Sequence, residues 1–189
     1  MANENFSSID GAEDRQRQLL RLQSRVQTME NKESTISSFE AKSLASVQAP
    51  SSTGSAIQIE FGEAQVTDDI DIDALGTVTF KTTGVYDLGI DVHYGRENNT
   101  GVALMFVRSL FNDVQLAPSF YMHLDNSKIQ APFSQSSKLL IPAGTALKFE
   151  LVRDSSGVND GGLYSANPTL AGWSDASCAR LRIVKRQGI

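Results

Sequence analysis

The amino-acid sequence predicts a mainly β protein, a jelly-roll β-sandwich head preceded by an N-terminal α-helical stalk that forms a short coiled coil. Residues 11–47 contain no proline and are dominated by polar, helix-forming side chains, whereas residues 57–189 consist of short strand-like runs separated by turns. Between them, a stretch rich in Ser, Pro and Gly supports neither periodicity. We therefore expect a flexible tail over 1–10, a helical stalk over 11–47, a linker over 48–56 and the head over 57–189.

The composition excludes several classes of function. The formal net charge of -5 provides no concentrated basic surface, so nucleic acid is not an expected partner. No stretch approaches the roughly 20 apolar residues that span a bilayer, so membrane insertion is not expected either. Cys178 is the only cysteine, which excludes an intrachain disulfide framework. The N-terminus lacks the basic and apolar regions of a secretory signal, as expected for a protein made in a cytoplasm.

The first half of the stalk has a coiled-coil pattern. Apolar residues at spacings of three, four and three lie on one helical stripe among arginines and glutamines. This stripe predicts a trimerisation seam formed by Leu19, Leu22, Val26 and Met29. A second stripe, out of register with the first, is formed by Ile36, Phe39, Leu44 and Val47. The alternative is a single amphipathic helix packed on its own β domain. Isolated helices this polar are marginal in water unless something covers the apolar stripe, and self-association is the simpler explanation.

The strands of the head are predicted from period-two alternation and from turn residues. In the longest run, from Tyr86 to Tyr94, every second residue is apolar, which is typical of a half-buried strand. The other predicted strands are Ile57–Phe61, Ile70–Ile72, Val78–Phe80, Val102–Val107, Phe120–Leu124, Gln135–Leu140, Ala146–Val152 and Ser177–Lys185. Short strands interrupted this regularly favour a jelly roll or a related β-sandwich.

The predicted strands Val102–Val107 and Phe120–Leu124 are apolar on both faces. A strand of this kind needs a second sheet on one side and a further cover on the other, and in a trimer the neighbouring subunit supplies that cover. The pattern therefore predicts a trimerisation surface of the head formed by Val102, Leu104, Phe106, Phe120, Met122 and Leu124.

One short motif resembles a known family. In Thr79–Tyr86 an aromatic strand end runs into a Gly-x-Tyr that opens a central strand, and turns follow at Asn98–Gly101 and Asn112-Asp113. This order resembles the globular heads shared by tumour-necrosis-factor-like and complement-type proteins. The resemblance covers Phe61–Val184. It implies a ten-stranded jelly roll that trimerises around a hydrophobic axis, often above a stalk.

A second resemblance is to phage structural sequences, and it is carried by Arg153–Tyr164 and Gly172-Trp173-Ser174. Related heads occur on phage virions as head fibres, decoration proteins and tail-associated knobs. The resemblance implies a homotrimeric head fibre or capsid decoration protein that is made in the host cytoplasm and located on the virion. Its N-terminal region would bind a capsid or other virion protein while the β head projects. The alternative is a tail-associated or free module that binds a receptor or carbohydrate on the host surface.

Catalytic and metal-binding patterns are not found in the sequence. His93 and His123 do not stand at metal-ligand spacing with each other or with Cys178, and no nucleophile elbow or phosphate loop is present. The acidic run Asp68–Asp73 contains oxygen ligands of the kind calcium prefers, but alternate carboxylates along one strand cannot wrap one ion unless an oligomer brings copies together. A solvated strand face is the simpler interpretation. We expect no enzyme activity, no metal and no cofactor.

The polar, glycine-rich segment after the Ala146–Val152 strand is the candidate recognition loop. Loops on a rigid sandwich often carry binding residues, and an exposed tryptophan stacks well on sugar rings. The candidate ligand-recognition residues are Asp154, Asn159, Asp160, Tyr164 and Trp173. The alternative is an ordinary hairpin loop beside a buried tryptophan.

Overall fold

The computed structural model describes residues 14–25, 37–96, 102–125, 130–154 and 161–188, without the side chains of the last two. The chain divides into two compact units, Met1–Ile36 and Ser37–Ile189. In the first unit, a helix (α1) runs over residues 14–25. A helix near the N-terminus is therefore confirmed, while its assembly into a coiled coil stays a prediction.

The second unit is built from strands. In chain order they are β1 (Ser37–Lys42), β2 (Val47–Gln48), β3 (Ala56–Gln58), β4 (Gln65–Val66), β5 (Ile70–Ile72), β6 (Val78–Phe80), β7 (Gly84–Gly95), β8 (Ala103–Phe111), β9 (Val114–Gln115), β10 (Phe120–Leu124), β11 (Gln130–Ile141), β12 (Ala146–Arg153), β13 (Gly162–Tyr164) and β14 (Ala179–Gly188). Every segment predicted as a strand overlaps one of these elements, although the boundaries shift by several residues in places.

The strands form two antiparallel sheets with jelly-roll connections. In the first sheet, called sheet A, β1 pairs with β14, β14 with β7, and β7 with β11 on its other side. In sheet B, β10 pairs with β8, β8 with β12, and β12 with β3 and β6. The long strands β7, β8, β11, β12 and β14 thus alternate between the sheets, and the first strand pairs with the last, as in the double Greek-key order of a jelly roll. The mainly β, jelly-roll part of the predicted fold class is confirmed by this strand order.

The core lies between the two sheets and follows the predicted alternation. Tyr86, Leu88, Ile90 and Val92 of β7 are buried, and they face Leu147, Phe149 and Leu151 of β12. The ring of Phe80 meets that of Tyr86 edge-on, with centroids 4.7 Å apart. Each fully buried side chain of this size contributes about 1.5–3 kcal/mol of hydrophobic stabilisation.

The predicted boundary between stalk and head is wrong. Residues Ser37–Lys42, assigned to the helical stalk, form β1, whose Phe39 and Ala41 are buried opposite Ile183 and Leu181 of β14. The linker predicted over 48–56 begins with the buried Gln48 of β2 and ends in β3. The polar-apolar alternation around Phe39 has period two, and pairing with the last strand selects that period over a helical one.

Candidate functional site

The apolar stripe of α1 is exposed. Leu19, Leu20 and Leu22 expose 58%, 59% and 56% of their surface. Leu19 and Leu22 are three residues apart, so they lie on the same side of the helix. The two remaining residues of the predicted seam, Val26 and Met29, lie outside the described residues. The stripe is therefore an apolar surface that its own helix leaves uncovered.

The six residues predicted to form the trimerisation surface of the head do not lie on one surface. Met122 and Leu124 are 2% and 0% exposed within the core of their own subunit, so their predicted role in an interface is wrong. The reason is alternation: β10 is an edge strand, and these two residues face sheet A. Of the others, Leu104, Phe106 and Phe120 are half-buried, and Val102, just before β8, is exposed.

An aromatic patch lies on the outer face of sheet B. Tyr121 is 63% exposed and stands opposite Phe106 in the β8–β10 register, with ring centroids 6.0 Å apart. Val152 stands opposite Phe106 on the other side. Arg108 and Glu150 border the patch with an ion pair of 2.6 Å. The sequence pattern predicts Phe106 as a surface residue but not Tyr121. The reason is that both faces of β10 are apolar, so the pattern does not show which face points away from the core.

The apolar core reaches the surface beside β11, at what we call the β11 edge, formed by Phe120, Phe133, Leu139 and Leu140. Phe120 stacks on Phe133 across the two sheets, with centroids 4.6 Å apart and planes 7° from parallel. Leu139 and Leu140 are 37% and 60% exposed. At Leu139, a cavity of about 110 Å³ has a mixed lining. Its apolar residues include Leu88, Ile90, Phe111, Phe120, Leu139 and Phe149, and its polar residues are Ser109, Gln135, Ser136 and Ser137. In the described part of the chain, β11 pairs only with β7, so its outer backbone edge is open.

The candidate recognition residues are dispersed. Asp154 follows β12, and its N–H donates to the carbonyl of Leu104 at 2.9 Å. Asn159 and Asp160 lie outside the described residues. Tyr164 is 9% exposed in β13, so its predicted role as an aromatic platform for a ligand is wrong. It is buried because β13 inserts between β2 and β7 in sheet A.

Trp173 is 70% exposed, which excludes the buried tryptophan of the alternative interpretation. It lies on a loop over residues 167–175 whose base is closed by two hydrogen bonds between Ala166 and Ala176, of 2.9 and 3.2 Å. At the tip, the N–H of Trp173 donates to the carbonyl of Leu170, and Gly172 has a φ of 87°. These are the marks of a type II turn, which needs positive φ at its third residue. The turn presents two large exposed side chains from a fixed backbone.

A polar pocket lies at the base of this loop, on the outer face of sheet A. It has a volume of about 320 Å³ and is lined by Lys42, Asp91, His93, Asp175, Ala176, Ser177 and Arg180. Arg180 donates two hydrogen bonds to Asp91, of 2.8 and 3.0 Å. Burial raises the pKa of Asp91, but hydrogen bonds from Ser134 and Arg180 outweigh it, so the net pKa is lowered and the carboxylate stays charged.

Three carboxylates of the acidic run Asp68–Asp73 are paired with other groups of the same chain. Asp69 pairs with Lys185 at 2.6 Å and Asp71 with Lys81 at 3.1 Å, while Asp73 accepts the N–H groups of Leu75 and Thr77. Among the described residues, no group of three or more His, Cys, Asp or Glu side chains could hold a metal ion. The described helix is also too short and too polar to cross a membrane.

Several solved structures have a similar architecture. They include Eiger TNF from S. frugiperda (10% identity, 82% of this chain and 94% of that chain, TM-score 0.46) and the globular domain of zebrafish complement 1qA protein (16%, 82% and 100%, 0.49). Murine APRIL is also similar (13%, 80% and 99%, 0.49). No protein-family model matches the chain, and no curated protein matches it in sequence. The strand order of the chain itself, and not these likenesses, establishes the jelly roll.

Proposed function

We propose that this chain is a non-enzymatic virion protein, a homotrimeric head fibre or capsid decoration protein. In this proposal the N-terminal region binds a capsid or other virion protein, and the β head projects from the particle. The β head supplies the contacts between copies. The protein is made in the host cytoplasm and ends on the virion.

The observation that carries this proposal is the β11 edge. There Phe120, stacked on Phe133, and the exposed Leu139 line one partly apolar cavity, while Leu140 is exposed on the opposite face of β11. Exposed apolar side chains gathered at one sheet edge in this way mark interaction sites in soluble proteins. A second copy of the chain is the simplest cover, because homo-oligomers with closed symmetry are the commonest assemblies. Three copies are proposed because the resemblance found in the sequence implies trimers.

The N-terminal helix supports the proposed anchoring role. Its exposed Leu19, Leu20 and Leu22 are too few to hold an assembly by themselves, since short isolated helices are marginal in water. They are sufficient to dock the helix against a larger apolar surface on another protein. The virion as location is supported by the resemblance of Arg153–Tyr164 and Gly172-Trp173-Ser174 to phage structural sequences.

Sedimentation equilibrium of the full-length protein tests self-association. We expect three times the chain mass of 20.5 kDa at micromolar concentration. Leu139→Glu should shift the mass toward the monomer, because it places a charge at the β11 edge. Val66→Glu is the matched control, since Val66 is 77% exposed on β4, and it should leave the mass unchanged. A wild-type monomer would contradict the proposal.

Imaging of phage particles made with and without the protein tests the location. Density that appears only with the protein is the expected result. The double variant Leu19→Asp with Leu22→Asp should remain trimeric yet be absent from the particles. If it still decorates them, the helix is not the anchor.

The second candidate function is recognition of a receptor or carbohydrate on the host surface. It is favoured by Trp173, which is 70% exposed on a loop closed at its base. A glycan array probed with wild type and with Trp173→Ala tests it. Binding that disappears in the variant would support this candidate, and an array without any signal would remove it.

A further inference from the structure

We propose that the polar pocket at the base of the 167–175 loop, together with Trp173, is a binding site for an uncharged saccharide. This inference rests on the second candidate function and specifies its site and its ligand class. The pocket is lined by Asp91, His93 and Arg180 of sheet A and by Asp175 of the loop, and the proposed site adds the exposed Trp173, two residues before Asp175 on that loop.

The pocket has the right size and chemistry for a sugar ring. Its volume of about 320 Å³ is at the lower end of the range for small-ligand sites. Its lining offers carboxylates as acceptors and ammonium, guanidinium and hydroxyl groups as donors. A pyranose presents hydroxyl groups around its edge that both donate and accept, so a mixed lining of this kind can satisfy it.

Charge balance selects an uncharged ligand. Lys42 and Arg180 supply two positive charges to the lining, and Asp91 and Asp175 supply two negative charges. Arg180 is already committed to Asp91, and Lys42 and Asp175 are the remaining pair of opposite charges in the lining. An anionic or cationic sugar would therefore find no excess of opposite charge to offset its desolvation.

Two groups in the pocket can pair with a ligand hydroxyl. The carboxylate of Asp175 belongs to an exposed residue of the lining, and the buried Nδ1 of His93 has no hydrogen-bond partner within the described ranges. The backbone of His93 is fixed, since its N–H donates to the carbonyl of Cys178 at 2.9 Å. Buried polar atoms without partners are uncommon in folded proteins. Because Nδ1 is covered in this structure, a ligand hydroxyl pairs with it only when the imidazole ring turns toward the pocket.

Trp173 supplies the apolar part of the site. It precedes Asp175 by two residues on the loop that Ala166 and Ala176 close. The C–H face of a pyranose stacks on an indole while its hydroxyl edge meets polar groups, and this site provides both kinds of contact on one short loop. Tyr164, buried in β13, takes no part.

Because Trp173 is the only tryptophan in the chain, intrinsic fluorescence reports on this site directly. The full-length protein is titrated with the methyl glycosides of glucose, mannose and galactose and with N-acetylglucosamine, each to about 100 mM, a range that covers millimolar dissociation constants. Glucuronate and glucosamine are the charged arms. We expect a saturable change in emission with at least one uncharged sugar and a weaker response with its charged counterpart.

Substitutions of Asp175 and Trp173 test whether these residues contact the sugar. Asp175→Asn should weaken binding about tenfold, the loss expected when a hydrogen bond to a charged carboxylate is replaced by one to a neutral amide oxygen. Asp68→Asn, an exposed carboxylate in the acidic run, is the matched control and should bind as wild type does. Trp173→Ala lacks the fluorophore, so its binding is followed by saturation-transfer NMR, in which the sugar signal should vanish.

No saturable response to any of the four uncharged sugars would overturn the proposal, as would a preference for a charged sugar or unchanged affinity in Asp175→Asn. The sedimentation mass of the same sample keeps the outcomes distinct. A trimer that binds no sugar rejects this site and leaves the trimeric virion protein standing. A monomer that binds the sugar supports this site and contradicts the trimeric virion protein.

Discussion

The side chain of Gln48 pairs with both backbone polar groups of Glu60. Its Oε1 accepts the N–H of Glu60 at 2.8 Å, and its Nε2 donates to the carbonyl of Glu60 at 2.9 Å. Nε2 also donates to the hydroxyl of Ser43 at 2.8 Å. Gln48 is 7% exposed, so its amide takes the place of water at the partly buried backbone groups of Glu60 and at the hydroxyl of the buried Ser43, and it ties the segment after β1 to the segment after β3.

Gln48→Leu should destabilise the head by about 1–3 kcal/mol, because the partly buried amide and carbonyl of Glu60 then lose their hydrogen-bond partner. Gln65→Leu, on the exposed strand β4, is the control and should change the free energy of unfolding little. Urea unfolding followed by circular dichroism measures both. Equal effects of the two substitutions would contradict a special role for Gln48.

The Asp69–Lys185 pair joins the loop before β5 in sheet B to β14 in sheet A. The two atoms are 2.6 Å apart, and the side chains are 15% and 16% exposed. Thr82 also donates to Asp69, at 2.6 Å. Burial raises the pKa of Asp69, but the hydrogen bonds from Lys185 and Thr82 outweigh it and hold the pKa below its ordinary value of 3.8.

A lowered folded-state pKa adds stability that is present above pH 3.8 and disappears as the pH falls below that value. Lys185→Met should therefore reduce the unfolding free energy at pH 7 by about 1–3 kcal/mol. It should also make the loss of stability below pH 3.8 shallower than in wild type. Urea unfolding at a series of pH values measures both effects. Parallel pH profiles would show that Asp69 is not the titrating group.

Two glycines with similar backbone angles provide a matched test of close packing. Gly76 has a φ of 85° and Gly144 a φ of 80°. A Cβ on Gly76 would overlap the carbonyl oxygen of Ile59, whereas nothing lies within 4 Å of a Cβ on Gly144. Gly144→Ala should cost about 1–2 kcal/mol from the left-handed conformation alone. Gly76→Ala should cost more than about 3 kcal/mol because the backbone at Ile59 and Glu60 must also shift. Thermal unfolding compares the two, and equal costs would contradict the overlap.

Tyr121 and Met122 are neighbours in β10, but Met122 lies in the core and Tyr121 lies on the surface. Met122→Ala should destabilise the head by about 2–5 kcal/mol, the usual cost of truncating a buried methionine. Tyr121→Ala removes an exposed ring and should cost less than about 1 kcal/mol. Chemical unfolding measures the costs, and sedimentation measures association. A Met122→Ala protein that is fully stable but dissociated would restore Met122 to the interface.

The elements that could be predicted from the sequence are those whose periodicity has one interpretation. The strand from Tyr86 to Tyr94 lies within β7, and Leu147, Phe149 and Leu151 point inward from β12 as predicted. Phe39 was misassigned because a short alternating run after a helical segment fits either period. Met122 and Leu124 were misassigned to the interface because a strand that is apolar on both sides does not reveal which side meets the core.

The candidate sites depended still more on tertiary contacts. The β11 edge joins Phe120 to Phe133 across two sheets, and the polar pocket joins Asp91 of β7 to Asp175 of a distant loop. No local pattern connects these residues. The exposure of Trp173 and the burial of Tyr164 likewise depend on where β13 and the loop after it lie in sheet A.

Alternation, turn residues and composition were sufficient to specify a mainly β head after a polar helix, because each acts over a few neighbouring residues. Strand pairing determined the rest: that the chain's last strand takes up β1, that Met122 belongs to the core, and that an apolar edge and a polar pocket open at the surface. Those outcomes arise from contacts between residues far apart in the chain, whose free energy is gained only once both sheets have formed.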